Sequence, residues 1–192
     1  MQRPNDQRRD SISAAAAHLF ATRPFHEVRL DDIARQARVG KGTLYVYFKS
    51  KESIYLSLVR EGFRQLVDRL QQQLADGAGR SEARLRTVVE GLTDFAFMYP
   101  DLYRVMRTKV LTPEDAELQS ARRVLSELIE SVLRDGVRRR EIRDPHPEIT
   151  AQFMLSFVRG ALLYPPKRMT RTVLCTHMTR VLLRGIGTGN VR

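Results

Sequence analysis

The sequence predicts an all-α fold of about nine helices, without a sheet. Apolar residues recur at helical spacing, as in the stripe formed by Ile12, Ala15, Ala16, Leu19 and Phe20. Long runs of alternating apolar and polar residues, which are typical of half-buried strands, are missing. With 192 residues, of which 42% are hydrophobic, the chain is long enough to bury a sizeable core in one or two small domains.

Three helices are predicted in the first fifty residues. The first carries the apolar stripe and ends before Pro24, which breaks the pattern. The second is predicted over about 30–37 and the third over about 41–48. Two short helices joined by such a tight turn match the helix-turn-helix arrangement, in which the second helix is presented to the major groove of DNA. Gly40 and Gly42 would let its backbone approach a phosphate or a base edge.

A long fourth helix and two shorter helices follow. Ser50 is a suitable N-cap for the fourth, which is predicted to run to about residue 75 before the DGAG stretch at 76–79 stops it. Ser81 is predicted to cap the fifth helix, which must end near Pro100. A short sixth helix is predicted over 101–109.

The last three helices also have start or stop signals. The Thr-Pro-Glu-Asp stretch at 112–115 opens the seventh helix, which is predicted to stop near Gly136. The Asp-Pro-His-Pro stretch at 144–147 opens the eighth, which runs over about 149–164 until two prolines end it. The ninth is predicted over about 170–184, and the tail after it is expected to fray.

Composition excludes several classes of protein. The one cysteine, Cys175, excludes a disulfide framework and a cysteine-based zinc site, and it suits a reducing cytoplasm. No run of 18 apolar residues predicts a membrane span, and the N-terminus lacks the apolar stretch of a signal peptide. The 33 Lys and Arg exceed the 22 Asp and Glu, for a net charge of +11. This balance favours a polyanionic partner without identifying it.

No catalytic or metal-binding motif is found, so neither an enzyme nor a bound cofactor is expected. His18, His26, His146 and His177 share no i, i+3 or i+4 spacing and no carboxylate motif, which argues against a metal site. The GKGT stretch at 40–43 lacks the spacing of a phosphate-binding loop and follows no strand. No nucleophile elbow occurs either.

The first quarter of the chain carries a more specific pattern of about twenty spaced positions. Most of these positions are apolar or small residues in or between the first three helices, and the others are Lys, Thr and Tyr residues in or just after the third. The set is Ile12, Ala15, Ala16, Leu19, Phe20, Phe25, Ile33, Ala34, Ala37, Val39, Lys41, Gly42, Thr43, Leu44, Tyr45, Tyr47, Phe48 and Lys51. This pattern resembles the TetR family of bacterial transcriptional regulators. The resemblance covers residues 8–58 or so; beyond them the chain matches in length, helical character and helix count.

That resemblance implies a homodimeric, all-α DNA-binding protein that reads a palindromic operator. It implies a helix-turn-helix DNA-binding domain over 1–51, with its recognition unit at 29–48, and an effector-binding and dimerisation domain over 52–192. The residues at the family's DNA-contact positions are Lys41, Gly42, Thr43 and Tyr45, for base edges and nearby phosphates, and Tyr47 and Lys51, for phosphate.

Three residues depart from the family pattern. Arg29 replaces the usual Thr or Ser cap of the second helix, so it cannot supply that cap in the same way, although it can contact phosphate. Arg38 stands where a turn glycine is usual, which predicts a slightly strained, left-handed turn. Val46 stands where an aromatic or polar residue is often found, which puts one base or backbone contact in doubt.

An apolar effector pocket is one of two interpretations of an aromatic and methionine cluster around Pro100; plain core is the other. In the functional interpretation, a tyrosine or arginine of the cluster orients a polar group of a bulky hydrophobic ligand. The candidate lining residues are Phe95, Met98, Tyr99, Tyr103, Met106 and Arg107, with Phe153 and Phe157 from the later helix.

The predicted helix at 149–164 is apolar on two sides. Phe153 and Phe157 lie on one side, and Met154 and Val158 on the other, so the helix must cover the core and something else. The last helix offers further apolar residues, namely Leu174, Met178, Val181 and Leu182. We expect these two helices to pair with their symmetry mates in a four-helix interface; a deeply buried monomeric core is the alternative.

The sequence therefore favours a DNA-binding transcriptional regulator in the cytoplasm, and a repressor in particular, which a small apolar or amphipathic effector releases from a palindromic operator. Two alternatives from other classes stay open. One is a basic nucleic-acid-binding protein that is indifferent to sequence. The other is a helical ligand carrier or enzyme with a vestigial DNA-binding domain.

Overall fold

The computed structural model describes residues 4–75, 79–107, 116–163 and 167–186. These segments form nine α-helices and one short 3-10 helix, with no β-strand among them, so the all-α prediction of about nine helices is confirmed. The α-helices are α1 (Pro4–Thr22), α2 (Leu30–Gln36), α3 (Lys41–Tyr47), α4 (Lys51–Ala75), α5 (Ser81–Met98), α6 (Pro100–Arg107), α7 (Ala116–Arg138), α8 (Pro147–Leu163) and α9 (Arg171–Ile186).

The helix starts predicted at Ser81 and at 144–147 are both observed, but Ser81 does not act as a cap. Ser81 is the first residue of α5 rather than its N-cap, and its backbone N–H donates to Glu141 Oε2 at 2.6 Å. This hydrogen bond holds the pKa of Glu141 below its usual range. Asp144 lies before α8 and accepts the His146 N–H at 3.0 Å, which turns the chain into the helix. The predicted start at 112–115 lies outside the described residues.

The chain divides into two compact units. Unit 1 comprises Met1–Phe63 with Tyr99–Gln119, and unit 2 comprises Arg64–Met98 with Ser120–Arg192. The 3-10 helix Phe25–Glu27, which the sequence did not predict, belongs to unit 1. The expected functional boundary after residue 51 concerns where DNA and effector bind, and it stays a prediction.

Unit 1 has an aromatic and aliphatic core. Phe20, Phe25 and Tyr55 form a cluster with ring centroids 5.3–5.6 Å apart, and the Tyr55 hydroxyl donates to the Val105 carbonyl at 2.9 Å. That bond ties α4 to α6. The same two helices approach closely at Gly62, where a Cβ would overlap Met106 Sδ.

Unit 2 is built around α5, which packs against α8 and α9. Phe95, Ile129 and Met154 are fully buried there, and they come from α5, α7 and α8. An ion pair between Arg171 and Asp94 joins the start of α9 to α5. The core of this unit therefore uses one face of α8 and one face of α9.

Candidate DNA-binding surface

The turn between α2 and α3 fixes the direction of the third helix. Arg38 has φ 55°, so the left-handed turn predicted at this non-glycine residue is confirmed. Its cost is roughly 1 kcal/mol, and the backbone N–H groups around it are satisfied: Val39 N–H donates to the Ala34 carbonyl at 3.0 Å. Ser11 in α1 donates to the Ala37 carbonyl at 3.3 Å and so anchors the turn to the first helix.

Helix α3 separates its residues cleanly into two faces. Leu44 is buried and Phe48, directly after the helix, is buried as well. Tyr45 is 48% exposed and Val46 is 81% exposed on the opposite side. Nothing lies within 4 Å of the position that a Cβ at Gly42 would occupy, so the centre of the outer face is bare backbone.

Thr43 and Tyr47 occupy the edges of that outer face. Both are half-buried, unlike Tyr45 and Val46. A hydroxyl at the edge of a helix face can still reach a phosphate or a base beside the helix. The residues that α3 holds outward are therefore Gly42, Tyr45 and Val46, with Lys41 at the start of the helix.

Lys41 is held by a carboxylate of the preceding helix. Its Nζ lies 2.8 Å from Asp31 Oδ1, and both side chains are more than half exposed. This pairing raises the pKa of Lys41, so the ammonium is charged at neutral pH. A phosphate that binds Lys41 has to compete with Asp31, a competition that the sequence did not predict.

We therefore expect the Asp31→Asn variant to bind every DNA duplex more tightly, because it frees the Lys41 ammonium for a phosphate and removes a repelling charge. The plot of log affinity against log salt concentration should steepen by about 1, and anisotropy titrations at several salt concentrations measure it. Asp68→Asn, which breaks the exposed Arg64–Asp68 pair at 2.8 Å in α4, is the matched control. An unchanged salt slope would contradict the role assigned to Asp31.

Lys51 lies at the start of α4 and has a structural contact that sequence analysis missed. Its Nζ donates to the Phe25 carbonyl at 2.8 Å and lies 4.4 Å from the centre of the Phe25 ring. The two residues are 26 positions apart, and no local spacing signals the contact. Because an ammonium has three donors, the bond to Phe25 leaves others for a phosphate. Lys51 is a predicted phosphate contact, and its bond to Phe25 attaches it to the aromatic cluster of unit 1.

Arg29 lies at the N-cap of α2 with extended backbone, and its side chain makes no capping hydrogen bond. This agrees with the prediction that arginine cannot replace the usual hydroxyl cap. The side chain is exposed. All seven predicted DNA-contact residues lie between the N-cap of α2 and the first residue of α4, in unit 1.

The predicted effector-binding residues fall in both units. Phe95 is fully buried in unit 2, where Met98 is exposed. In unit 1, Tyr99 is exposed, Tyr103 is half-buried, and Met106 is buried beside Gly62. Arg107 ends α6, and its side chain lies outside the described part of the structure. The pocket stays a prediction.

The two remaining pocket candidates lie on the outer face of α8. Phe153 is 56% exposed and Phe157 is 49% exposed, with ring centroids 6.5 Å apart, whereas Met154 and Val158 are buried. The prediction of two apolar sides on this helix is thus confirmed, but the exposed rings give no support to a pocket inside unit 2. Nothing lies within 4 Å of a Cβ placed at Gly160 on the same face.

Helix α9 exposes fewer of its predicted apolar residues. Val181 is exposed, as is Val173, which the sequence analysis did not single out. Leu174, Met178 and Leu182 are buried in unit 2, so they do not form the outer face that was expected of them. Cys175 is also buried, which raises the pKa of its thiol.

Two kinds of feature are absent from the segments that the structure describes. No helix there is long and apolar enough to cross a membrane. No group of three His, Cys, Asp or Glu side chains there is arranged to hold a metal ion.

Two family descriptions match the chain. Residues 12–58 match the bacterial regulatory proteins of the tetR family, and residues 78–186 match the tetracyclin repressor-like C-terminal domain. The second match alone spans more than half of the chain. Together they cover the outward-facing α3 and the helices α5 to α9.

Three matches, two by sequence and one by structure, show what the chain is similar to. The transcriptional activator FasR of Mycolicibacterium smegmatis is 36% identical over 48% of this chain and 42% of its own length. A fatty acid metabolism regulator protein of Bacillus subtilis is 29% identical over 69% of this chain and 70% of its own. The crystal structure of FadR from Bacillus subtilis with stearoyl-CoA has a TM-score of 0.81 and 20% identity, covering 92% of this chain and 98% of that one, which shows a shared fold.

Proposed function

Because the chain belongs to the tetR family of bacterial regulatory proteins, it is a DNA-binding transcriptional regulator, and we propose that it is a repressor released from a palindromic operator by a small hydrophobic effector. The observation that carries this proposal is the outward face of α3. A short helix that buries Leu44 and exposes Gly42, Tyr45 and Val46 is suited to the major groove. Such a protein acts in the cytoplasm, where its operator is.

Two kinds of DNA contact are proposed for this surface. The exposed residues of α3 read base edges, whereas cations and hydroxyls around the helix bind phosphates and set its orientation. The proposed DNA-contact residues are Arg29, Lys41, Gly42, Thr43, Tyr45, Tyr47 and Lys51. They support the assignment of residues 1–51 as the DNA-binding domain and 52–192 as the domain for effector binding and dimerisation.

A homodimer is proposed through the outer faces of α8 and α9. These helices expose Phe153, Phe157, Val173 and Val181, and Gly160 leaves room for a partner helix to come close. A twofold interface presents the same apolar patch from both subunits, so one set of residues serves twice. The dimer in turn explains a palindromic operator, since two copies of α3 then meet two equivalent half-sites. Phe153 and Phe157 are therefore assigned to the dimer face rather than to the pocket.

The effector proposed is an acyl-CoA or a related long-chain acyl compound. Support comes from the similarity to a fatty acid metabolism regulator protein and to a FadR structure with stearoyl-CoA, both of Bacillus subtilis. The aromatic and methionine side chains of the predicted lining suit an alkyl chain, and an arginine suits a phosphate or carboxylate. The proposed effector-contact residues are Phe95 and Met98 in unit 2, and Tyr99, Tyr103, Met106 and Arg107 in unit 1.

The proposed function is tested by selecting bound sequences from random duplex DNA. We expect a palindrome whose half-site centres lie about 34–36 Å apart, or one helical turn. Adding stearoyl-CoA should then lower operator affinity at least tenfold, a coupling of about 1.4 kcal/mol. Equal binding of operator and random duplex would favour a sequence-indifferent nucleic-acid-binding protein. Tight acyl-CoA binding with no effect on DNA would favour a carrier.

A further inference from the structure

Val46 is an apolar side chain held in solvent at the middle of α3. At 81% exposure it is the most exposed large hydrophobic residue in the segments that the structure describes. Folding does not account for it, because a β-branched side chain disfavours a helix relative to alanine and buries nothing here. Single exposed valines are common on protein surfaces, so the surroundings of this one decide what it means.

Val46 and Gly42 form an apolar strip along the outer face of α3, beside the exposed Tyr45. Gly42 lies one turn earlier on the same face, and nothing is within 4 Å of where its Cβ would be. Leu44 points the other way into the core. Bare backbone followed by a small apolar side chain allows the helix to come close to a surface, where the isopropyl group of Val46 can contact it.

Base chemistry restricts what that isopropyl group can meet in the major groove. The edges of guanine, cytosine and adenine present hydrogen-bond donors and acceptors there, whereas thymine also presents its C5-methyl group. A valine against a polar edge would leave that edge without a partner, at a cost in free energy. Against a methyl group it loses nothing and removes apolar surface from water.

We propose that Val46 is a specificity-determining residue that packs on the C5-methyl group of one thymine in each operator half-site. The inference rests on the proposed DNA-binding surface and adds a base identity to it. It also accounts for the departure from the family pattern at this position, since a smaller apolar residue replaces a side chain that is often aromatic or polar.

The test replaces each operator thymine in turn by deoxyuridine, which removes a single methyl group. One thymine per half-site should be sensitive, with a loss of about fourfold in affinity for each half-site, the value of one buried methyl group. Substitution in both half-sites should lower the affinity about 16-fold if the two free-energy losses add. The operator used is the palindrome obtained by selection, and affinities are measured by anisotropy titration.

The Val46→Ala variant, combined with the deoxyuridine substitution in the operator, forms a double-mutant cycle between protein and DNA. It should bind the thymine operator about fourfold more weakly per half-site, and it should no longer distinguish thymine from deoxyuridine at the sensitive position. Alanine favours the helix, and thermal melts followed by circular dichroism establish that the variant folds. Val124→Ala, at a valine that is 42% exposed on α7, should keep the full discrimination.

Two results would overturn the inference. Either no thymine is sensitive, or Val46→Ala keeps the same ratio of affinities for thymine and deoxyuridine; in both cases specific operator binding, and so the proposed function, survives. If selection yields no palindrome, the proposed function fails and the role of Val46 fails with it. The failures of the two proposals are thus told apart by the selection step.

Discussion

Replacing Phe153 by aspartate should produce a folded monomer that has lost most of its affinity for the operator. The ring is 56% exposed and contacts Phe157 on the outer face of α8, so a carboxylate there is solvated in the single chain but buried between two copies in a dimer. Because two half-sites bound together raise affinity by 10²–10⁴-fold in general, we expect a loss of about 100-fold or more. Sedimentation velocity and operator titrations measure the two effects.

A matched control and a second variant separate dimer loss from unfolding. Val124→Asp puts the same charge at an exposed valine on α7, and it should leave the dimer intact. Gly160→Leu should not destabilise the single chain, because leucine favours a helix more than glycine does and nothing lies within 4 Å of a Cβ built at this position. The leucine side chain should, however, block the approach of a partner helix. If both α8 variants remain dimeric at micromolar concentration, the proposed interface is wrong.

The Lys51→Ala variant should lower the stability of the protein as well as its affinity for DNA. It removes a charge-assisted hydrogen bond to the Phe25 carbonyl at 2.8 Å and a cation–π contact at 4.4 Å. Partial exposure reduces the value of both, so we expect a loss of about 1–2 kcal/mol in the free energy of unfolding. The melting temperature should fall by about 3–6 °C, as followed by circular dichroism.

Lys49→Ala is the control for Lys51, because Lys49 is an exposed lysine two residues earlier. Its melting temperature should equal that of the wild type. Its affinity for non-specific DNA should fall only by the contribution of one positive charge. If Lys51→Ala also melts with the wild type and shows only the DNA effect, its contact with Phe25 has no energetic role. In that case Lys51 acts through phosphate alone.

The helix-turn-helix region was predictable because its signals are local. The third helix was expected over 41–48 and is observed as Lys41–Tyr47, and the strained turn at Arg38 followed from a single replaced glycine. Spacing decides which side of so short a helix is apolar, so the burial of Leu44 was predictable as well. The contact of Lys51 with Phe25 was not, because it depends on how distant parts of the chain pack.

Helices α8 and α9 also show what local sequence patterns cannot predict. On α8 the apolar residues form two separate sides, and the sequence alone indicated that one of them needs a second partner. On α9 they form what looks like one stripe, yet Leu174 and Met178 face the core while Val181 faces outward. Periodicity identifies an apolar side but not what covers it, which is why the assignment of Phe153 and Phe157 shifts from pocket to dimer face.

The strict separation of the two faces of α3 has a practical consequence for protein engineering. Gly42, Tyr45 and Val46 are exposed and lie outside the buried core, so a combinatorial library that randomises them together should consist largely of folded members. Leu44 and Phe48 have to be kept constant in such a library. The helix therefore offers a scaffold on which new operator preferences can be selected without simultaneous repair of the fold.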